Sequence, residues 1–324
     1  MSDSRIIRMH ETGGPEVLTL EHSSLDPPGP GQVRVRQTAI GLNFIDTYHR
    51  TGLYPVKLPF VPGAEAAGVV EAVGEGVDDF EPGERVAYLG SGTYGDHFTG
   101  PAARMLKLPD TVDDETAAAV LLKGLTAWML LFEVRRARAG DTALVWAPAG
   151  GVGSLLVPWA TSLGVRVIAV TSSEEKAAHA RKLGARDVII GRANVAETVR
   201  ELTQGEGVDV SYDSVGRDSA GASLSALKPR GWWISYGNAS GPAEPVAPGR
   251  LGQLGSLVLT RPGLFHFISD PADLARGAAA LFGALRTGTL CAHVERRFAL
   301  EHAADAHRAL ESGRTIGASL LIPG

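Results

Sequence analysis

The stretch from residue 142 to residue 164 constrains this chain more than any other. TALVWA (142–147) is an unbroken apolar run of strand length, followed by the glycine turn Ala149-Gly150-Gly151-Val152-Gly153 and by GGVGSLLVPWATSLG (150–164), which reads as a helix. An unbroken apolar run marks a strand buried on both faces, as in parallel sheets covered by helices. The alternation continues through VRVIAVT (165–171), SEEKAAHARKLGA, DVII, ANVAETVRELT, VDVSYDSV, SAGASLSALKPRG and WWISYGN, to about residue 238. Strand and helix in turn predict a doubly wound α/β sheet. Pro158 falls inside the first of these helices, where a kink is expected.

The chain before Gly140 has a different rhythm. Short β-type runs, VRVRQTAI (33–40), AAGVVEAV (66–73) and ERVAYL (84–89), are separated by Gly-Gly-Pro, Pro-Pro-Gly-Pro-Gly, Val-Pro-Gly and Glu-Pro-Gly turns. These predict an all-β first domain built of antiparallel strands. DDETAAAVLLKGLTAWMLLF (113–132) then opens on acidic residues and continues in good helix formers, which predicts a helix. Beyond Asn238 comes a Pro/Gly-rich loop, a strand candidate in LGSLVLTRPGLFHF, and a tail (272–323) of helix, strand and helix character ending in ASLLIP. The tail is expected to rejoin the first domain, which gives domains of 1–122, 123–264 and 265–324. His302 and His307 read as surface residues of a tail helix.

Composition narrows the function classes. The 324 residues suffice for two domains with proper cores, and 44% hydrophobic with 21% charged residues is too apolar for disorder. A net charge of −5 with scattered basic residues lacks the footprint of a nucleic-acid binder. The lone Cys291 supports neither an internal disulfide nor a thiolate-rich zinc site, as suits a reducing compartment. The N-terminal MSDSRIIRMH has no signal-peptide core, and the apolar stretch 117–132, broken by Lys123, falls short of the ~20 residues of a membrane span. A cytoplasmic protein acting on small molecules, without a membrane partner, is the expectation.

The glycine turn carries the first chemistry. A strand, a glycine turn and a helix N-terminus present backbone N–H groups and a positive helix end to a pyrophosphate, and Gly151 and Gly153 let the backbone approach it. The G-x-G-x-x-G fingerprint is present only in altered form, and a turn serving helix–sheet packing is the alternative. After the second strand, where an NAD site places a carboxylate, stand Ser172 and, one helical turn on, Lys176. Hydroxyl and cation suit a 2′-phosphate, which favours NADPH over NADH. The alternative is that Ser172 caps the helix and Lys176 is a solvated charge.

With these motifs in place, the whole chain resembles the zinc-independent NADPH:quinone oxidoreductases of the zeta-crystallin type, in the medium-chain dehydrogenase/reductase superfamily. The matching stretches are GGPEVL (13–18), GLNFIDTYHRTGLYP (41–55), PGAEAAGVVEAVGEGV (62–77), LLKGLTAW (121–128), AGGVGS (149–154), YDSVGRD (212–218) and ESGRTIGASLLIP (311–323). The resemblance implies a GroES-like β-rich catalytic domain and a Rossmann NADPH-binding domain with the active site in the cleft between them. It implies that Asn43, Asp46, Lys123 and Thr126 line the nicotinamide end. It also implies that Gly150, Gly151, Val152 and Gly153 meet the pyrophosphate, that Ser172 and Lys176 meet the 2′-phosphate, and that Ser214, Val215, Gly216, Gly237 and Asn238 lie along nicotinamide and ribose. Two positions depart from the pattern. Gly191 stands where relatives often carry tyrosine, with Arg192 next to it as a substitute phosphate partner, and Gly313 stands where they carry arginine, with Arg314 displaced by one.

Zinc alcohol dehydrogenases of the superfamily hold their metal with cysteine and histidine. The matching positions here are Asn43 and Ala64, the latter next to Glu65, so no metal ligand set is expected. A substrate must then accept hydride by its own electronics, as quinones and enones do. Tyr48 is a candidate for orienting the substrate or protonating its oxyanion; a packed aromatic is the alternative. The expected activity is NADPH:quinone reduction. An enoyl or alkenal reductase and a non-catalytic, crystallin-like NADPH-binding protein are the other readings, and a homodimer is the expected assembly.

Overall fold

The computed structural model describes residues 3–324. In chain order the strands are β1 (Asp3–Arg8), β2 (Thr19–Ser24), β3 (Gln32–Gly41), β4 (Glu65–Val73), β5 (Arg85–Leu89), β6 (His97–Pro101) and β7 (Met105–Lys107). They continue with β8 (Thr142–Trp146), β9 (Arg166–Thr171), β10 (Asp187–Ile190), β11 (Val208–Asp213), β12 (Leu227–Ser235), β13 (Val258–Thr260), β14 (Val294–Ala299) and β15 (Ala318–Ile322). The helices that position the site are α1 (Phe44–Thr51), α2 (Asp114–Trp128), α3 (Gly153–Ser162), α4 (Glu174–Lys182), α5 (Val195–Leu202) and α6 (Ala220–Ala226). The chain divides into two compact units. One takes the described residues up to Leu125 with Asp270–Arg286 and Cys291–Gly324; the other takes Thr126–Ser269 and Thr287–Leu290.

In the first unit β1 and β2 form a hairpin, and a larger sheet runs β14-β15-β3-β4-β5-β7, with β6 also pairing β3. At the end of the chain β15 pairs β3 antiparallel through Leu320 and Leu321, and β14 pairs β15 in parallel. Val33, Val35, Ile40, Val86, Tyr88 and Leu321 meet in its core. This is the alternating pattern of strands with one face inward. The expectation of an all-β first domain is corrected by α1. Asn43 stands before its first turn, Asp46 lies in that turn, and Gly52, in the left-handed conformation, ends it. These are ordinary start and stop signals.

The second unit is one parallel sheet in the order β10-β9-β8-β11-β12-β13. Leu144, Trp146, Ile168, Val170 and Trp233 fill its core, so the unbroken apolar runs are indeed strands buried on both faces. The direction of winding reverses between β8 and β11, where Val210 lies beside Ala143 and Tyr212 beside Val145. Open α/β sheets bind ligands beyond the carboxyl ends of the strands at such a switch point. Pro158 lies inside α3. The helix predicted from residue 113 is α2, extended by a π-helical turn, Met129–Val134. The continuous helix Asp114–Val134 is long and apolar enough to cross a membrane, which corrects the length argument above, but 72% of its most apolar window is buried inside the protein.

Candidate functional site

The turn after β8 is shaped for close approach. Ala147 adopts φ 52°, and the turn closes through Gly150 N–H to Ala147 O (3.0 Å) and Ser154 N–H to Gly150 O (2.8 Å). These bonds leave the N–H groups of Gly151, Val152 and Gly153 at the start of α3 out of the turn's own pairing, as helix N-termini do. A Cβ on Gly153 would sit 2.3 Å from Ala147 O, so only glycine fits there. Backbone donors at a helix N-terminus form a site that fits a dinucleotide pyrophosphate.

At the end of β9 the cap of α4 is Ser173, whose Oγ accepts from Lys176 N–H at 3.3 Å. This corrects the alternative that Ser172 caps the helix; Ser172 is exposed next to the cap. Arg192, expected at the adenosine phosphate, is paired with the carboxylate of Asp218, and both are exposed. Arg314 is exposed in the first unit, its N–H on Ser312 Oγ at 3.3 Å.

After β11 the turn Ser214-Val215-Gly216 is zipped to the loop that follows β12. Ala239 N–H donates to Ser214 O (3.1 Å), Ser240 N–H to Val215 O (2.8 Å) and Arg217 N–H to Gly241 O (3.0 Å). Asn238, with its amide turned to satisfy both groups, donates to Gly237 O (2.9 Å) and accepts from Arg261 Nη2 (3.1 Å). The turns after β8, β11 and β12 therefore stand at the carboxyl ends of neighbouring strands.

In the first unit the structure links three of the residues expected at the nicotinamide end: Glu65 joins Asn43 to Lys123, and Asp46 binds Asn43. Glu65, at the start of β4 and fully buried, accepts from Asn43 Nδ2 (2.9 Å), Lys123 Nζ (2.6 Å) and Leu122 N–H (2.6 Å). Lys123 is buried as well, so the acid partner of this helical lysine lies in the interior and not on a helix surface. Asp46 accepts from Asn43 N–H (2.9 Å) and Tyr94 Oη (3.0 Å), while its Oδ1 has no partner among the described residues. Fully enclosed, Asp46 acts on Asn43 through the start of α1. Burial pushes its carboxyl up to about 7, against the lowering by Asn43, Tyr94 and Lys123. Tyr48 packs its ring at 5.1 Å from Tyr54 and 6.2 Å from Phe44 and is buried, the geometry of a packed aromatic. Thr126 lies one helical turn beyond Lys123 on α2.

The Asp46 network continues to the tail. Tyr94 Oη lies 3.1 Å from His307 Nε2, and Arg50, also buried, donates to Glu311 at 2.5 Å. His307 is therefore not a surface residue as expected; His302 is exposed. Burial, with the Arg50 cation adding to it, pushes the His307 imidazole down to about 3. Glu65, Tyr94 and His307 were missed by sequence reading, because a buried polar partner 58, 48 or 213 residues away leaves no local pattern. Glu65 beside Ala64 was the one visible hint, a charged residue entering an apolar strand.

A catalytic zinc does not fit these residues. At the ligand positions stand an amide held by Glu65, the methyl of Ala64 and a carboxylate already accepting from an ammonium group. Among the described residues no three His, Cys, Asp or Glu side chains gather in a way that could hold a metal ion.

Comparison with known proteins gives two family matches. Residues 29–110 match the alcohol dehydrogenase GroES-like domain and residues 151–264 match the zinc-binding dehydrogenase family, whose description names a metal that the residues here do not fit. The chain is 45% identical over 325 residues to a 2-haloacrylate reductase of Burkholderia sp, covering 97% of this chain and 98% of that protein. It is 47% identical over 315 residues to a quinone oxidoreductase of Pseudomonas aeruginosa, covering 96% and 97%. A crystal structure of Escherichia coli quinone oxidoreductase complexed with NADPH superposes with a TM-score of 0.96 at 40% identity, covering 98% of this chain and all of that one.

Proposed function

The chain belongs to the quinone oxidoreductase family of the medium-chain dehydrogenase/reductase superfamily, and we propose from this that it reduces quinones with NADPH, without a metal. The observation that carries the reading is the pair of structures it rests on: a phosphate-type turn after β8, and a hydrogen-bonded Asn43–Glu65–Lys123 cluster where zinc ligands would fall. Bound NADPH supplies a hydride at nicotinamide C4. The residues of the chain bind and orient. Gly150, Gly151, Val152 and Gly153 would hold the pyrophosphate; Ser172 and Lys176, with Arg192, would hold the 2′-phosphate; Ser214, Val215, Gly216, Gly237 and Asn238 would hold the nicotinamide ribose; and Arg314 is carried over as a further cofactor contact. Asn43, Lys123 and Thr126 face the nicotinamide, Asp46 sets Asn43, and Tyr48 shapes the substrate side. With that hydride and one proton from the medium, a quinone would be reduced to its hydroquinone.

The domains that do this are a GroES-like catalytic domain from the two ends of the chain and a Rossmann domain between them. The protein is read as soluble and cytoplasmic, with no nucleic-acid or membrane partner. It is also read as a homodimer, because β13 is an edge strand able to pair with its copy about a two-fold axis. A single light-scattering mass of one chain removes the dimer.

A second reading, reduction of an activated C=C bond, is favoured by the 45% identity to a 2-haloacrylate reductase. One panel separates the two: NADPH oxidation with 1,4-benzoquinone, 1,4-naphthoquinone, 2-chloroacrylate and an unsubstituted enone. Quinone turnover with inert acrylates supports the first reading, the reverse supports the second, and no turnover on any acceptor overturns both. Lys176→Ala is expected to raise KM for NADPH about tenfold and leave KM for NADH unchanged, since one charge-assisted contact is lost.

A further inference from the structure

Asp213, the last residue of β11, is fully buried and accepts five hydrogen bonds from neutral donors. Its Oδ1 takes Val215 N–H (2.9 Å), Gly216 N–H (3.2 Å) and Ser219 Oγ (2.6 Å), and its Oδ2 takes Ser223 Oγ (2.8 Å) and Trp233 Nε1 (3.0 Å). No basic side chain is among these partners. The arrangement saturates the four or so lone-pair sites of a carboxylate, and an amide there would turn an NH2 group against donors.

What these donors have in common is the wall they build. Val215 and Gly216 belong to the turn after β11, Ser219 and Ser223 to the approach to α6 and to α6 itself, and Trp233 to β12. The main-chain carbonyl of Asp213 also takes Tyr236 N–H (2.8 Å) and Gly237 N–H (3.3 Å) from the loop after β12. The two loops then touch so closely that a Cβ on Gly237 would lie 2.4 Å from Ser214 O. One residue thus sets the position of both loops at the carboxyl ends of β11 and β12.

We propose that Asp213 is a positioning residue for the reaction. It fixes the Ser214–Gly216 turn and the Gly237–Asn238 segment against which the nicotinamide half of the dinucleotide is laid. This rests on the NADPH reading above and deepens it. The residue acts through the loops and does not touch the reacting atoms. Its loss is therefore expected to weaken the nicotinamide half of the cofactor and spare the adenosine half, which lies against the turns after β8 and β9.

The test is calorimetric titration of Asp213→Asn with NADPH and, separately, with adenosine 2′,5′-bisphosphate, alongside steady-state kinetics. The expected result is a tenfold or greater loss of NADPH affinity, an unchanged affinity for the bisphosphate, and a raised KM for NADPH with an unchanged KM for the quinone. Equal loss of both ligands means general collapse of the unit and overturns the positioning role, as does unchanged NADPH affinity. Should Asp213→Asn fail to fold, Ser219→Ala removes one of the five donors, and Ser219→Thr restores its hydroxyl. The alanine variant is expected to show the same split at three- to fivefold and the threonine variant to recover it; a split absent from the alanine variant, or not recovered by threonine, overturns the proposal. A wild-type protein that binds neither ligand removes the NADPH reading itself, and this proposal with it, before any variant is made.

Discussion

Among the described residues three carboxylates are buried, and the two units accommodate them in opposite ways. In the β-rich unit Glu65 is held by a cation, Lys123, and two further donors, while Asp46 has two donors and one oxygen without a partner. In the parallel-sheet unit Asp213 is surrounded by five neutral donors, all within 20 residues of it in sequence. Taking a carboxylate out of water costs several kcal/mol, and either a counter-ion or enough hydrogen bonds must offset it. A lone counter-ion makes the site depend on one distant side chain. Many neutral donors spread that dependence over several neighbours.

The sharpest way to break the contrast is to remove one partner on each side. Lys123→Met leaves the enclosed Glu65 without its cation and is expected to cost about 3–5 kcal/mol in urea denaturation. The double variant Glu65→Gln/Lys123→Met is expected to recover most of that loss, because neither charge then remains buried alone. A loss under about 1 kcal/mol for the single variant, or no recovery in the double, would show that the pair is not the counter-ion arrangement its 2.6 Å contact describes.

The second difference is protonation. The Asp46 carboxyl is pushed up to about 7 from an ordinary 3.8, so the stability tied to it is present below about pH 4 and lost as pH rises toward 7. The His307 imidazole is pushed down to about 3 from 6.5, so the stability tied to it is present above pH 6.5 and lost as pH falls toward 3. Between pH 4 and 6.5 the two slopes oppose each other. Tyr94 hydrogen-bonds to both groups, Lys123 and Glu65 act on Asp46, and Arg50 acts on His307. His307→Gln removes only the second slope. Measured against wild type and relative to its own value at pH 6.5, it is expected to gain about 2 kcal/mol at pH 5, one proton over 1.5 pH units. Asp46→Asn is expected to shift the balance the other way, losing stability faster than wild type as pH falls. Parallel pH curves for both variants and wild type would show that neither group is perturbed.

How much of this was legible in the chain follows from the same physics. Parallel strands buried on both faces write themselves as apolar runs, so TALVWA and VRVIAVT could be read directly. The glycine turn was legible because a Cβ at Gly153 has nowhere to go. α1 is written less plainly: Asn43, Asp46 and Gly52 spell out its start and stop, but eight residues between β-type runs carry too short a helical period to stand out. The residues that organise the polar interior were not legible. Lys123 meets Glu65 across 58 positions and Tyr94 meets His307 across 213, and long-range pairing of polar side chains carries no period. Asp213 falls between. It sits in the recognised YDSVGRD stretch, yet its value lies in donors that converge only when α6 and β12 pack.

Ser223→Ala tests the neutral-donor side of the comparison at a smaller scale. It removes one of two donors to Asp213 Oδ2 and a 3.1 Å contact with Ser211, and leaves Trp233 Nε1 and the three donors to Oδ1 in place. About 1–2 kcal/mol is expected by urea denaturation, clearly less than for Lys123→Met, because a neutral hydrogen bond is lost and no charge is stranded. A loss as large as that of Lys123→Met would mean that the five donors act as one unit and that distribution gives no protection.

The smallest effect is expected where a charge pair is exposed. Arg192 and Asp218 form an ion pair with side chains about half open to water, and such pairs contribute no more than about 1 kcal/mol. Asp218→Asn should therefore leave the melting temperature almost unchanged. Its effect belongs to binding. If Arg192 serves the 2′-phosphate, Asp218 competes with the cofactor for the guanidinium, and removing that competitor should tighten NADPH two- to threefold while NADH, which lacks the phosphate, stays as it was. Tightening that vanishes when Arg192→Ala is added would tie the effect to the guanidinium. Equal effects on NADPH and NADH, or none, would return Arg192 to the surface and leave the phosphate to Ser172 and Lys176.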